Sequence, residues 1–286
     1  MIYPTAQDWH QARQKRVTLF GMSGLGKTHV SNMLRDSGEW FHYSIDYRIG
    51  TRYMGEFITD NFKREAMKNP FLADLLRTDS IYVGSNITFE NLAPLSTYLG
   101  KPGDPDRGGL DIAEYARRQE QHHAAEVQAL MDTVPFIEKA RAIYGYDNFI
   151  CDTGGSICEV VDPDDPSDPI LTALAQHTLM VWIEGSDDHT DELVRRFRKA
   201  PKPMCYQLDF LHRAWGDYTA ANPGPVDPDD FMTTTYAQAI TRRQPRYAAM
   251  ARWGVSVTAE EVAAVRDPAS FDAMIATAID RASAPA

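Results

Sequence analysis

The chain alternates between short apolar runs and longer stretches rich in polar and helix-forming residues. Five apolar runs, each bounded by turn-forming or acidic residues, have the pattern typical of buried strands in a parallel sheet. They cover residues 17–20, 40–46, 148–152, 178–183 and 254–257. Helix-forming segments separate them, so the pattern predicts an α/β fold with a mostly parallel central sheet flanked by helices.

The segments between the runs differ greatly in length. Residues 47–146 are mostly helix-forming, with a break expected at Pro135, and this length between two core strands indicates an insertion. We therefore expect one domain over residues 1–286, with a helical insertion or acceptor lobe at 55–145. A lid and second insertion are expected at 195–232. Helices are also predicted at 188–198 and 233–242.

A glycine-rich stretch follows the first run. Gly21, Gly26, Lys27 and Thr28 satisfy the phosphate-loop pattern G-x-x-x-x-G-K-[ST] between a predicted strand and a predicted helix. Such a loop turns backbone N–H groups toward phosphate oxygens, with the lysine on the β- and γ-phosphates and the threonine hydroxyl on Mg²⁺. The predicted nucleotide-binding residues here are Gly21, Ser23, Gly24, Gly26, Lys27, Thr28 and His29.

Acidic residues end the second and third runs. Asp46 closes the second run and Asp152 closes the third, and ligands collect at the carboxyl ends of parallel strands. We expect Asp46 to face a substrate hydroxyl and Asp152, with Thr28, to hold Mg²⁺. Gly154 and Gly155 follow the third run and allow close approach of a ligand to the backbone.

Composition limits the partners. The formal net charge is -11 and no basic tail or lysine/arginine cluster stands out, so a nucleic-acid partner is not expected. No apolar stretch approaches the roughly 20 residues that span a bilayer, and the start lacks the regions of a signal peptide. The three cysteines are too scattered for a disulfide framework or a zinc site. We expect a cytoplasmic protein with reduced thiols that binds a small molecule and no membrane.

These motifs resemble those of shikimate kinase and the related small-molecule kinases of the nucleoside-monophosphate-kinase group. The phosphate loop of that family matches residues 21–28, and its acidic motif after the second strand matches residues 44–46. The first acid of that motif is Ser44 here, which leaves Asp46 as the matching carboxylate. The family's glycine-rich substrate loop is similar to residues 153–156. The resemblance covers about half of the chain, and the insertions have no counterpart in it.

The resemblance extends to later segments. The family's lid, which ends in Arg-Pro, looks like residues 195–204 with Lys202 in the arginine place, and Arg196 would be the cation near the adenine. Its Arg-x-Pro-x-Tyr segment matches residues 243–247, so Arg243 would hold a substrate carboxylate. The other acceptor-binding arginine of the family could be Arg117, with Glu120, or Arg64.

The resemblance implies a P-loop kinase that uses ATP and Mg²⁺. It would transfer phosphate to a hydroxyl of a small, anionic metabolite, with Lys27, Asp46 and Lys202 as catalytic residues. The acceptor would contact Asp46, Arg117, Gly154, Gly155 and Arg243. The alternatives are a P-loop ATPase or switch with a protein partner, and a kinase-like toxin acting on a nucleotide sugar. The choice of purine, the acceptor and the oligomeric state stay open.

Overall fold

Five parallel strands form one central sheet. The computed structural model describes residues 1–284, apart from the side chain of Asp187. In chain order the strands are β1 Arg16–Phe20, β2 Trp40–Ser44, β3 Asn148–Asp152, β4 Leu179–Glu184 and β5 Val255–Thr258. Their order in the sheet is β2-β3-β1-β4-β5, and every neighbouring pair is parallel. The predicted α/β class with a parallel sheet is confirmed.

Helices make up most of the remaining chain. In chain order the α-helices of the described residues are α1 Ala6–Gln11, α2 Lys27–Asp36, α3 Ile45–Arg48, α4 Gly55–Ala66, α5 Pro70–Arg77, α6 Ala93–Leu99, α7 Ile112–Met131, α8 Thr133–Tyr144, α9 Ile157–Val160, α10 Pro169–His177, α11 Asp187–Lys199, α12 Leu208–Ala221, α13 Pro228–Met250, α14 Ala259–Ala264 and α15 Pro268–Ser283. A π-helical turn, Ile49–Tyr53, and two 3₁₀ turns, Pro105–Arg107 and Ala251–Trp253, complete them.

The chain divides into two compact units. The first contains Met1–Ile45, Val127–Ala200 and the chain from Tyr236 onward, and it holds all five strands. The second contains Asp46–Glu126 and Pro201–Thr235 and is helical. The expected insertions at 55–145 and 195–232 and the single-domain assignment stay predictions.

The sheet is the core of the first unit. Most strand positions are buried, so both faces of the sheet are covered, as parallel sheets require. Helix α2 packs on β2 and β3, and α15 packs on β5 and α1. The rings of Trp40 and Phe271 meet edge to face with centroids 5.5 Å apart, which joins β2 to α15.

Hydrogen bonds join the two segments of the second unit. Tyr115 Oη and Gln119 Nε2, both on α7, donate to the carbonyl of Met204 at 2.9 and 3.1 Å. The backbone N–H of Tyr206 donates to Gln119 Oε1 at 3.0 Å. These bonds satisfy backbone groups of a non-helical stretch that would otherwise be buried without partners.

Two predicted boundaries are wrong. The second strand ends at Ser44, and Asp46 is instead the second residue of α3. Ser44 is paired with Asp152, the last residue of β3, so the ladder has no further partner and the chain turns into a helix. The helix predicted over residues 233–242 is the middle of α13, which continues past Pro245. Packing of α13 outweighs the backbone hydrogen bond that Pro245 removes.

Two of the three cysteines lie in the core. Burial raises the pKa of Cys151 to about 12 and that of Cys158 to about 11. Cys205, in the second unit, is partly exposed. No helix among the described residues combines the length and the apolar character that a membrane span requires.

Gly254, immediately before β5, gives a test of the sheet edge. A Cβ at this position would lie 1.9 Å from the carbonyl oxygen of Met180 on β4. We expect Gly254→Ala to push β5 away from β4 and lower the free energy of unfolding by about 1–3 kcal/mol. Urea unfolding followed by circular dichroism measures this.

The control is Gly216→Ala on α12, where an added Cβ meets nothing within 4 Å. That change should raise stability by about 0.5–1 kcal/mol, because alanine favours helix more than glycine does. A Gly254→Ala protein as stable as the wild type would contradict the packing of β5 described here.

Candidate functional site

The glycine-rich loop lies between the central strand and α2. Gly21, Gly24 and Gly26 have φ values of 142°, 78° and 92°, which side-chain-bearing residues rarely adopt. At Gly21 space is also lacking, since a Cβ would lie 2.6 Å from the carbonyl oxygen of Ile183 on β4. The loop therefore takes its shape from glycine and from direct contact with the neighbouring strand.

The side chain of Lys27 binds the backbone of the loop. It is the first residue of α2, is buried, and donates from Nζ to the carbonyls of Gly21 at 2.8 Å and Met22 at 2.9 Å. The next residues, Thr28 and His29, are exposed on the first turn of the helix. A ten-residue helix that begins on a lysine and exposed N–H groups is suited to bind an anion.

Asp152 ends β3 beside the loop strand. Its Cα is paired with Leu19 of β1 and with Ser44 of β2, and its side chain is nearly buried. The imidazole of His42, on the same face of β2, has Nε2 3.8 Å from Asp152 Oδ2. His42 was not predicted as a neighbour of Asp152, since the sequence of one strand does not state how it pairs with the next.

The donor set of this edge fits a hard cation. Thr28 offers a hydroxyl and Asp152 a carboxylate, the oxygen ligands that Mg²⁺ prefers. Within the part of the chain that the structure describes, no group of three or more His, Cys, Asp or Glu residues forms a metal cluster. Magnesium bound with a nucleotide needs only one or two protein ligands. Thr28 and Asp152 would therefore be enough to supply them.

The loop after β3 packs on the glycine-rich loop. Gly155 lies so close that a Cβ on it would be 2.4 Å from Ser23 Oγ and 3.4 Å from Ser23 N. The carbonyl of Gly155 accepts hydrogen bonds from Arg243 Nη1 at 3.0 Å and Tyr247 Oη at 2.8 Å. Gly154 is buried beside it. Of the predicted residues, the structure thus brings Gly155 to the glycine-rich loop and Arg243 to Gly155.

Arg243 has a partner that the sequence analysis missed. Its Nε donates to Oε1 of the buried Glu159 at 2.7 Å. Burial lowers the pKa of this guanidinium, but the charge of Glu159 outweighs burial and holds the pKa above its ordinary value. The expected contact with an acceptor carboxylate stays a prediction, and it would have to be made beside an internal carboxylate.

Helix α11 contacts the glycine-rich loop. His189 Nε2 is 3.3 Å from the carbonyl oxygen of Ser23, and Leu193 Cδ2 would be 3.3 Å from a Cβ on Gly24. Arg196, expected near an adenine, has Nε 2.5 Å from Glu192 Oε1 on its own helix, and its side chain is 68% exposed. His189 carried no signal in the sequence beyond its position early in the helix predicted over 188–198.

A cleft of about 340 Å³ lies beside the loop on the β4 side. Its lining includes Met22 of the loop, Trp182 and Glu184 of β4, and Gln244 and Tyr247 of α13. That volume is within the range of small-molecule sites.

The remaining predicted residues lie in the second unit. Arg117 donates from Nε and Nη2 to Glu114, at 2.7 and 2.8 Å, rather than to Glu120. Arg64, the alternative, is exposed in the last turn of α4. Lys202 is exposed and lines a second cleft, of about 770 Å³. Asp46 lies on α3. The assigned roles of these residues stay predictions.

Known proteins were compared with this chain. No family model matches the sequence, and no curated protein sequence matches it significantly. A solved structure of shikimate kinase from Bacteroides thetaiotaomicron is similar, with a TM-score of 0.36 and 15% sequence identity. The alignment covers 94% of this chain and 96% of that chain. A likeness this weak carries no argument about function, which therefore rests on the site itself.

Gly21→Ala tests the contact of the loop with β4. The change adds both a strained positive φ and a clash with the Ile183 carbonyl, so we expect a loss of about 2–4 kcal/mol in unfolding free energy. Gly38→Ala is the matched control, because Gly38 has a φ of 79° and open space around it. It should lose only the strain, about 1–2 kcal/mol. Equal losses in urea unfolding would show that the clash is absent.

The Glu114 ion pairs give a prediction for pH. Hydrogen bonds from Arg117 and Arg118 lower the pKa of Glu114 to about 2, below its value in an unfolded chain. The stabilisation is therefore complete above the unfolded pKa and is lost as pH falls from about 5 toward 2. We expect Glu114→Gln to flatten the fall of the urea midpoint over that window. Glu120→Gln on the same helix is the control and should follow the wild type; a Glu114→Gln profile parallel to the wild type would refute the assignment.

Proposed function

We propose that this protein transfers the terminal phosphoryl group of ATP to a hydroxyl of a small anionic metabolite. The observation that carries the proposal is the loop between β1 and α2. The loop has three positive-φ glycines, the buried Lys27 ammonium lies against its carbonyls, and the exposed first turn of α2 follows it. Together these features suit the phosphates of a nucleoside triphosphate.

The donor half of the proposal uses residues of the first unit. Lys27 and the N–H groups at the start of α2 would bind the phosphates, with Ser23, Gly24 and His29 exposed around them. Thr28 and Asp152 would hold Mg²⁺, which supplies positive charge next to the phosphate oxygens when bound. The protein's own contribution is a set of fixed dipoles and charges that do not reorganise during transfer.

The acceptor half would use residues of the second unit. The cleft of about 770 Å³ offers hydroxyl and amide groups from Ser96, Thr97 and Asn91. Lys202 lines it without an ion-pair partner among the described residues, which supports an anionic acceptor. Asp46 would accept the proton of the acceptor hydroxyl. Arg117 and Arg64 are the alternative ligands of the anionic group, and the engagement of Arg117 with Glu114 favours Arg64.

Lys27→Ala tests the proposal. Loss of the ammonium removes a charge-assisted contact with the phosphates, so we expect ATP·Mg²⁺ affinity to fall by at least about tenfold and acceptor-dependent ADP release to vanish. Calorimetry measures the affinity, and a coupled ADP assay on fractionated metabolite pools measures the turnover. Thermal unfolding checks that the variant is folded.

Lys68→Ala is the control for that experiment. Lys68 is exposed and pairs only locally with Glu65, so this variant should match the wild type in both assays. Wild-type affinity and turnover in Lys27→Ala would contradict the nucleotide site. ATP hydrolysis that no metabolite fraction accelerates would contradict the kinase and favour the ATPase alternative.

A further inference from the structure

Side chains of helix α13 donate several hydrogen bonds to the segment that follows β3. Besides the bonds of Arg243 and Tyr247 to Gly155, Arg246 donates from Nε to the carbonyl of Cys158 at 2.7 Å and from Nη2 to the carbonyl of Val161 at 2.6 Å. Residues 243, 246 and 247 lie one helical turn apart, so they share a face of α13. These three side chains, bound to residues 155–161, are called the α13 clamp below.

The centre of the α13 clamp is a buried ion pair. Arg243 and Glu159 are 3% and 4% exposed, and Arg243 Nε lies 2.7 Å from Glu159 Oε1. Removing the charge of Glu159 would leave the buried Arg243 without its counter-ion, which is strongly unfavourable. The pair therefore fixes the guanidinium, and a fixed guanidinium donates to Gly155 in one direction only.

The α13 clamp acts on the phosphate loop through one contact. Gly155 is the residue whose missing Cβ lets it lie against Ser23. Two donors hold its carbonyl from the α13 side, at 3.0 and 2.8 Å. Gly155 lies between Ser23 on one side and the two donors of α13 on the other, so its backbone has little freedom to move. The position of Ser23 therefore depends on α13 as well as on β1.

We infer that Arg243 and Tyr247 are positioning residues: with Glu159 as counter-ion, they hold Gly155 against Ser23 and so keep the phosphate loop in its binding conformation. This differs from the acceptor-carboxylate role expected for Arg243. Neutralising Glu159 distinguishes the two roles of Arg243, because an acceptor ligand would not need Glu159. A positioning role makes Glu159 necessary for nucleotide affinity, whereas the acceptor role leaves that affinity unchanged when Glu159 is neutralised.

Two variants and two readouts test the inference. Glu159→Gln removes the counter-charge of Arg243, and Tyr247→Phe removes only the phenolic donor to Gly155. The first readout is hydrogen exchange of the amides of residues 153–157 without nucleotide; the second, which rests on the proposed nucleotide site, is the affinity for Mg·ADP by calorimetry. We expect both variants to speed exchange by about tenfold and to weaken Mg·ADP by about fivefold.

Arg242→Gln is the matched control. Arg242 pairs with the same carboxylate at 3.2 Å, but its side chain is 28% exposed and water can replace it. This variant should stay within about twofold of the wild type in both readouts. Tyr247→Phe keeps the test decisive if Glu159→Gln does not fold.

The outcomes are distinguishable. Wild-type exchange and wild-type Mg·ADP affinity in Tyr247→Phe and in any folded Glu159→Gln protein would overturn the positioning role. Faster exchange with weaker Mg·ADP binding in the variants, but not in Arg242→Gln, would support it. A wild-type protein that binds no Mg·ADP would contradict the proposed function alone, because the exchange measurement needs no ligand and still decides whether α13 holds residues 153–157.

Discussion

Direct backbone contact at the carboxyl edge of the sheet is the constraint on which the site depends. Gly21 lies against the carbonyl of Ile183 with no room for a side chain, and Gly155 lies against Ser23. These contacts place the glycine-rich loop between β4 on one side and the loop after β3 on the other. The loop is thus shaped by its neighbours as much as by its own glycines, and the parallel strands that bring those neighbours to one edge are the source of its geometry.

Much of the first unit could be predicted from the sequence because its signals are local. Each strand is an apolar run bounded by turn residues, and the phosphate loop is a contiguous pattern whose glycines are needed for their φ values. The strand order could not be predicted, since no local pattern states which strands are neighbours. The end of β2 was misplaced for the same reason: pairing with Asp152 determines it, and that residue lies more than a hundred positions away.

The glycine-rich loop between β1 and α2 was predictable, and the contacts around it were less so. The partner of Arg243 is Glu159, 84 residues earlier in the chain, and neither neighbourhood indicates the other. The long course of α13 through Pro245 was also missed, because local propensity ends a helix there and tertiary packing continues it. By contrast, Glu114 precedes Arg117 by three residues, a spacing at which ion pairs form on a helix. That signal was present in the sequence and could have been used.

The distribution of the cysteines has a practical consequence. Cys151 and Cys158 are buried thiols that do not ionise near neutral pH and therefore react slowly with alkylating reagents. Cys205 lies in the helical second unit and is partly exposed. A maleimide dye would accordingly attach at Cys205 in the unaltered sequence. The protein thus carries its own labelling position in the second unit, and fluorescence from that position would test whether this unit responds to mixtures of candidate metabolites without any engineered residue.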